Sequence, residues 1–372
     1  MSSGYDLTRS KKYSAIKTWI FVANIVLTVL ALAFFWVFLS RPVAGIAFSL
    51  RANFYAACAF FSVIFLLFMY LALFPLHLAD SFYVERRFGL SRQSFGAWLT
   101  DEAKSVVLSF TLSIVCIQGF YLLLRNFPSY WWVISASVWI FFTIILARFL
   151  PVLLIPLFFK YLPIEEEGLK ERIVRLGERS GIPIMDVCRI DFSRKTAKAN
   201  AALVGLGGTR KVILADTLTD EFTGEEVEAV VAHEFGHVKY RHIWKLIAFS
   251  GAATYTGFFV LFLLAGKIVV LAGARGLSDL YLLPLLAILM AVSGIILLPL
   301  QNFFSRILER QADRFALEIT NKAGTFISVM RKLALMNLAD VDPPLLKKVF
   351  LYDHPPVNER IRMAKEFRSQ GE

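Results

Sequence analysis

The chain has 372 residues, 57% of them hydrophobic and 35 of them Phe, with a formal net charge of +11. A water-soluble protein of this size carries about 45–50% apolar residues, so the excess excludes a purely soluble domain and demands a bilayer. The positive charge is better read as membrane topology than as a nucleic-acid surface, because the basic residues gather on one side of the apolar runs. Six runs, at 19–40, 54–78, 103–124, 130–159, 246–271 and 280–300, are long enough to span; each covers about 30 Å of hydrocarbon at about 1.5 Å per residue. The first follows Lys11, Lys12 and Lys17 but exceeds the h-region of a signal peptide, so it reads as a retained anchor. The fourth contains Arg148, Pro151 and Pro156; it either kinks and continues into the interface or hides two shorter elements.

With the N-terminus inside, one side of the membrane receives Arg9, Lys11, Lys12, Lys17, Arg86, Arg87, Arg92 and Lys104. The other side's loops receive Arg41, Arg51, Arg125, Lys267 and Arg275. The expectation is an integral multi-pass protein with both ends, the 160–243 segment and the tail in the cytoplasm. Cys58, Cys116 and Cys188 show no CxxC spacing, which argues against a thiolate metal site or a disulfide framework.

The chain divides into a membrane domain, 1–159, with four spans, and a second domain, 160–372, that returns to the membrane at about 246–300. In the polar stretch after 160, residues 166–180 read as a helix stopped at Gly181 and 185–192 as a strand. Segments 201–204 and 211–215 form a hairpin around Gly205-Leu206-Gly207-Gly208. Thr223-Gly224-Glu225-Glu226 is a capping box opening a helix, on which Val227, Val230, Val231 and Val238 recur at helical spacing. After the two-span hairpin, 301–320 continues as a helix, followed by two more helical stretches. The fold class is mainly α: a polytopic helical membrane protein with a small β-sheet.

His233-Glu234-Phe235-Gly236-His237 spells HExxH and falls well inside the capped helix. Residues four apart lie one turn above each other, so His233 and His237 can grip one zinc ion while Glu234 serves as general base. Chance supplies this pattern in about one chain of this length in a hundred, so the neighbours decide. A catalytic zinc site needs a third protein ligand. Glu309-Arg310-Gln311-Ala312-Asp313 supplies the best candidate, with Glu309 as ligand and Asp313, one turn on, orienting an imidazole. The rival reading of this pair is a solvated acidic face among Arg306, Arg310 and Arg314; a zinc helix in the same chain weighs against it. His242, five after His237, is expected off the ligand face, as a polar anchor near the membrane surface. His77 beside Asp80 reads as interfacial, and Lys267 as snorkelling.

HEFGHVKYRH, two spans and then ERQAD together resemble the zinc-dependent CAAX prenyl protease family of integral-membrane metalloproteases. The loop from Phe82 to Leu90 with Asp101 and Lys104, the stretch Asn200-Ala201-Ala202 with Val212-Ile213-Leu214, and His354-Pro355 with Arg360 agree with that family. The resemblance implies a gluzincin domain among transmembrane helices that enclose a water-filled chamber. It also implies one Zn2+ per chain on His233, His237 and Glu309, with Glu234 as catalytic base. Asn200 would lie near bound peptide, and His354 and Arg360 would line the site. On this reading His354 is the candidate oxyanion donor, rather than a turn histidine before Pro355, and the strand from Asn200 aligns substrate by β-addition. The family's eukaryotic members have seven spans against the six counted here.

The expected activity is peptide-bond hydrolysis on a peptide or protein substrate, lipidated or otherwise membrane-associated, in contact with membrane lipid and without nucleic acid. The compartment would be the cell membrane in a prokaryote and the endoplasmic reticulum in a eukaryote. Two rivals stand beside it: a broad quality-control protease for membrane proteins, and a non-enzymatic transporter or scaffold with a structural His cluster. An intact Glu234 argues against the second, since binding metal alone does not require it.

Overall fold

The computed structural model describes residues 7–50, 53–164, 166–205 and 207–371, with backbone alone at 148–154, 207 and 370–371. Arg51, Leu206 and the side chains of Arg148 and Pro151 therefore lie outside the described residues.

In hydrocarbon every backbone N–H and C=O must be satisfied within its own segment, which favours long uninterrupted helices. Among the described residues five helices are long and apolar enough to cross a membrane: α1 (Leu7–Leu50), α2 (Phe54–Arg87), α3 (Phe95–Asn126), α8 (His242–Ala272) and α9 (Leu280–Thr320). Between them, α4 (Trp131–Phe158) runs as one helix, apolar over its described part, Trp131–Ala147, and is not split into two elements. α1 and α2 each carry a π-helical insert, at Phe35–Leu39 and Ala79–Val84. α1 outruns the expected span, so Arg41 lies inside a helix rather than in a loop. Its guanidinium donates to the Ala272 carbonyl at 2.7 Å and stacks on Tyr281, which relieves the charge. Phe35, Phe61, Tyr121 and Leu280 form the buried heart of the membrane half.

Outside the spans, a four-stranded sheet has the order β1-β2-β4-β3, made of Tyr161–Leu162, Asp186–Ile190, Lys211–Ala215 and Ala201–Val204. β2 and β4 are parallel, and the other two pairings are antiparallel. The expected hairpin is present, with Val204 opposite Lys211, and β3 is one of the sheet's two edges. Helix α5 (Glu167–Ser180) ends at Gly181, whose φ of +69° suits a residue without Cβ. After the short α6 (Asp216–Glu221), the capping box at Thr223 and Glu226 opens α7 (Gly224–Lys239). The C-terminal part holds three helices rather than the expected two: α10 (Ala323–Met336), the short α11 (Leu345–Leu351) and α12 (Val357–Gly371). Pro343-Pro344 separates the first two and Pro355-Pro356 the last two, as proline requires. Leu169, Ile173, Leu214, Val231, Phe235, Leu317 and Phe326 share one buried core, which fixes α7 between the sheet, α5, α9 and α10.

Candidate metal and peptide site

α7 and the far end of α9 build the site. α9 crosses the apolar zone and runs on as one helix past Leu300, so Glu309 stands roughly 14 Å beyond that residue at 1.5 Å per residue. There it meets α7. The approach is close because Gly236 has no Cβ: one placed there would lie 2.8 Å from the Ala312 Cα. His233, His237 and Glu309 consequently offer ligand atoms that lie within 4.8 Å of one another. The Nε2 of His233 is 3.2 Å from Glu309 Oε2, and the Nε2 of His237 is 3.3 Å from Glu309 Oε1. The two Nε2 atoms are 3.2 Å apart.

Glu309 is buried, and its Oε2 makes no well-aligned hydrogen bond among the described residues although the Nε2 atoms of His233 and His354 each lie 3.2 Å away. A buried carboxylate oxygen aimed at two imidazole nitrogens fits a cation held among them. The electrostatics agree. Burial disfavours a charged His233, but Asp313 and Glu309 outweigh it and push the ring up to about 9, so positive charge is favoured here. Burial, with His233 second, pushes His237 down to about 4, which leaves a neutral imidazole able to ligate.

Each remaining candidate has a defined place. Asp313 is fully buried, with Oδ1 2.8 Å from His233 Nδ1, and Arg360 donates to the same carboxylate from Nε at 2.8 Å and from Nη2. Glu234, Asn200, His354 and Arg360 line one cavity of about 440 Å³ together with His233. Burial lifts the Glu234 carboxyl above its ordinary value, in the direction a proton acceptor needs. His354 places Nε2 3.2 Å from Glu309 Oε2, while its Nδ1 lies 2.8 Å from Asp353. Burial works against charge on this ring, but Asp353 and Glu309 outweigh it and hold His354 above its usual range. Asn200 is exposed and immediately precedes edge strand β3. Arg360 touches the cavity, yet its guanidinium is directed at Asp313; its geometry is that of a partner to Asp313 first.

The expectation for His242 is corrected. Its side chain is 1% exposed and its Nδ1 lies 3.0 Å from the Nδ1 of His237. Arg241 takes a left-handed conformation, φ +55°, which ends α7 and starts α8 in a new direction. Helical counting across 237–242 therefore fails. A non-glycine residue able to adopt that conformation carries no clear mark in a single sequence.

A helix with HExxH, a facing glutamate from a second helix and a peptide-sized cavity beside them, all on a transmembrane scaffold, define a membrane metalloprotease. Residues 163–368 match peptidase family M48, and residues 3–160 match the family described as CAAX prenyl protease N-terminal, five membrane helices. The chain belongs to peptidase family M48. Within the second stretch its described residues form four long helices. Similar proteins include an uncharacterized metalloprotease of Bacillus subtilis, 27% identical over 97% of this chain and 86% of its own length. CAAX prenyl protease 1 of Saccharomyces cerevisiae is 29% identical over 77% of this chain and 67% of the yeast protein. The human CAAX prenyl protease 1 homolog is 27% identical, over 79% and 70% respectively. The crystal structure of S. mikatae Ste24p has the same fold, with a TM-score of 0.86 at 23% identity over 96% of this chain and 88% of that one.

Proposed function

We propose that the chain is a zinc endopeptidase with one zinc held by His233, His237 and Glu309, cleaving peptides presented at the membrane surface. The observation that carries this is the convergence of the two Nε2 atoms on Glu309, whose Oε2 is buried without a well-aligned hydrogen bond, beside a cavity lined by Glu234. Bound zinc supplies Lewis acidity, acidifying a water and polarising a carbonyl. Glu234 takes the proton of the attacking water and returns it to the leaving amine. His354, whose Nε2 lies 3.2 Å from Glu309 Oε2 beside the metal ligands, would donate to the carbonyl oxygen on which negative charge develops. Asp313, braced by Arg360, orients His233. Edge strand β3, entered through Asn200, offers unpaired backbone to an extended peptide.

The division near residue 160 into membrane and protease domains is part of this reading, and the matched stretches 3–160 and 163–368 support it. So is a catalytic side facing the cytoplasm, supported by the basic residues at that end of the spans. The relatives named CAAX prenyl protease 1 favour lipidated C-terminal substrates over general quality control of membrane proteins. Zinc content together with cleavage of a farnesylated and an unmodified peptide, wild type beside Glu234→Gln, tests the whole. The expected result is about one zinc per chain in both proteins and a loss of cleavage of about 10²–10⁴-fold in the variant. Equal cleavage of the two peptides would favour the quality-control reading, and full activity of Glu234→Gln would sink the mechanism.

A further inference from the structure

The two metal-facing histidines are held from behind in different ways. His233 is held by the ion-paired carboxylate of Asp313. Behind His237 there is no carboxylate among the described residues; His242 stands there, with its Nε2 3.2 Å from Gln311 Oε1.

We infer that His242, backed by Gln311, is a positioning residue that fixes the tautomer and orientation of His237. The inference rests on the reading that His237 Nε2 faces the metal. A ring nitrogen that ligates a cation carries no hydrogen, so a neutral His237 carries its hydrogen on Nδ1. That hydrogen points at the Nδ1 of His242, 3.0 Å away, which must accept it. The hydrogen of His242 then sits on Nε2 and is donated to Gln311 Oε1. Lys245 Nζ, which can only donate, lies 3.3 Å from the same oxygen and so assigns the Gln311 amide with its oxygen inward. Donors run from His237 outward with no conflict at any link. Burial of His242 excludes the water that could otherwise replace it. The ring is further held by stacking on Tyr240, with centroids 5.9 Å apart.

The relay delivers orientation without adding charge. Asp313 and Arg360 already balance each other beside His233, and a second carboxylate in the buried space behind His237 would add the desolvation cost of another charge. A neutral His–Gln pair avoids that.

The test is zinc affinity by chelator competition on the full-length protein in detergent. His242→Phe keeps a packed ring and removes the acceptor; it should weaken zinc binding about 10–100-fold. His242→Gln restores an acceptor and should recover most of that loss. Gln311→Ala leaves the ring in place and should weaken binding by a smaller factor. Zinc affinity of His242→Phe and Gln311→Ala equal to wild type would overturn the inference while leaving the metal-site reading standing. A zinc-free wild-type protein would overturn both.

Discussion

Two clusters of charged side chains, one around the HExxH helix and one at the meeting of α1 and α2, differ in what they leave undone. Around the HExxH helix, Glu309 Oε2 is buried without a well-aligned hydrogen bond and three ligand atoms crowd together. The other cluster joins α1, α2 and the segment before β3. There Glu85 accepts from Tyr13 at 2.6 Å and pairs with Lys17 at 3.2 Å and Lys198 at 2.8 Å, while Lys17 also pairs with Asp80 at 2.5 Å. No buried atom of this second cluster lacks a partner among the described residues. A cluster whose groups are all paired fits an architectural role, and one in which three ligand atoms crowd around a poorly bonded buried oxygen fits a ligand site. The two are linked in sequence: Lys198 belongs to one, and Asn200 lines the cavity of the other.

The largest expected effect separates them most sharply. Glu309→Ala should take bound metal from about one per chain to near zero and abolish cleavage with it. Zinc retained at the wild-type level would mean that the third ligand lies elsewhere and that the contrast is misdrawn.

Removing the metal with a chelator exposes the charge preference of the first cluster. In the absence of a cation, His233 is raised from 6.5 to about 9. A raised folded value gives stability that is fully present below pH 6.5 and lost as pH rises through 9. The loss should reach about 3 kcal/mol, read as a falling unfolding midpoint of the chelated protein. The zinc-loaded protein should lack this slope, and identical pH profiles for the two forms would refute the placement of zinc on His233.

Glu85→Ala addresses the second cluster. Breaking a buried ion pair costs about 3–5 kcal/mol; Lys17 and Lys198 are each about a third exposed, so solvent screening brings the expected loss to about 2 kcal/mol. Zinc content should not change. A variant that loses zinc while keeping its unfolding midpoint would give the cluster a direct part in the site.

The legibility of these features followed their range along the chain. HEFGH, the Thr223 capping box, the 201–215 hairpin and the Glu309–Asp313 spacing are written in neighbouring residues, through helical or strand periodicity, and all lie where the pattern puts them. What was not legible depends on approach between distant elements. His242 was misplaced because one left-handed residue, Arg241, breaks the helical count. Arg41 was placed in a loop because its relief comes from Ala272 and Tyr281, more than two hundred residues on. The pairing of Arg360 with Asp313 carries no mark in the sequence because the two lie on different helices.

The role of Gly236 was equally hidden, since the fourth position of HExxH tolerates many residues as a pattern. It yields the smallest of these effects. A methyl group at 236 meets Ala312 Cα at 2.8 Å, its carbonyl oxygen at 3.1 Å and its Cβ at 3.2 Å. Two of those three atoms are backbone, so relief requires α7 and α9 to separate rather than a side chain to turn. Gly236→Ala gains about 1 kcal/mol of helix propensity against about 1–3 kcal/mol of overpacking, so net stability should change little. Separation of the helices acts directly on the site, because His237 follows Gly236 and Asp313 follows Ala312. Zinc affinity should therefore fall while the unfolding midpoint of the chelated protein hardly moves. A chelator titration of Gly236→Ala that matches wild type would show that the metal site does not depend on this contact.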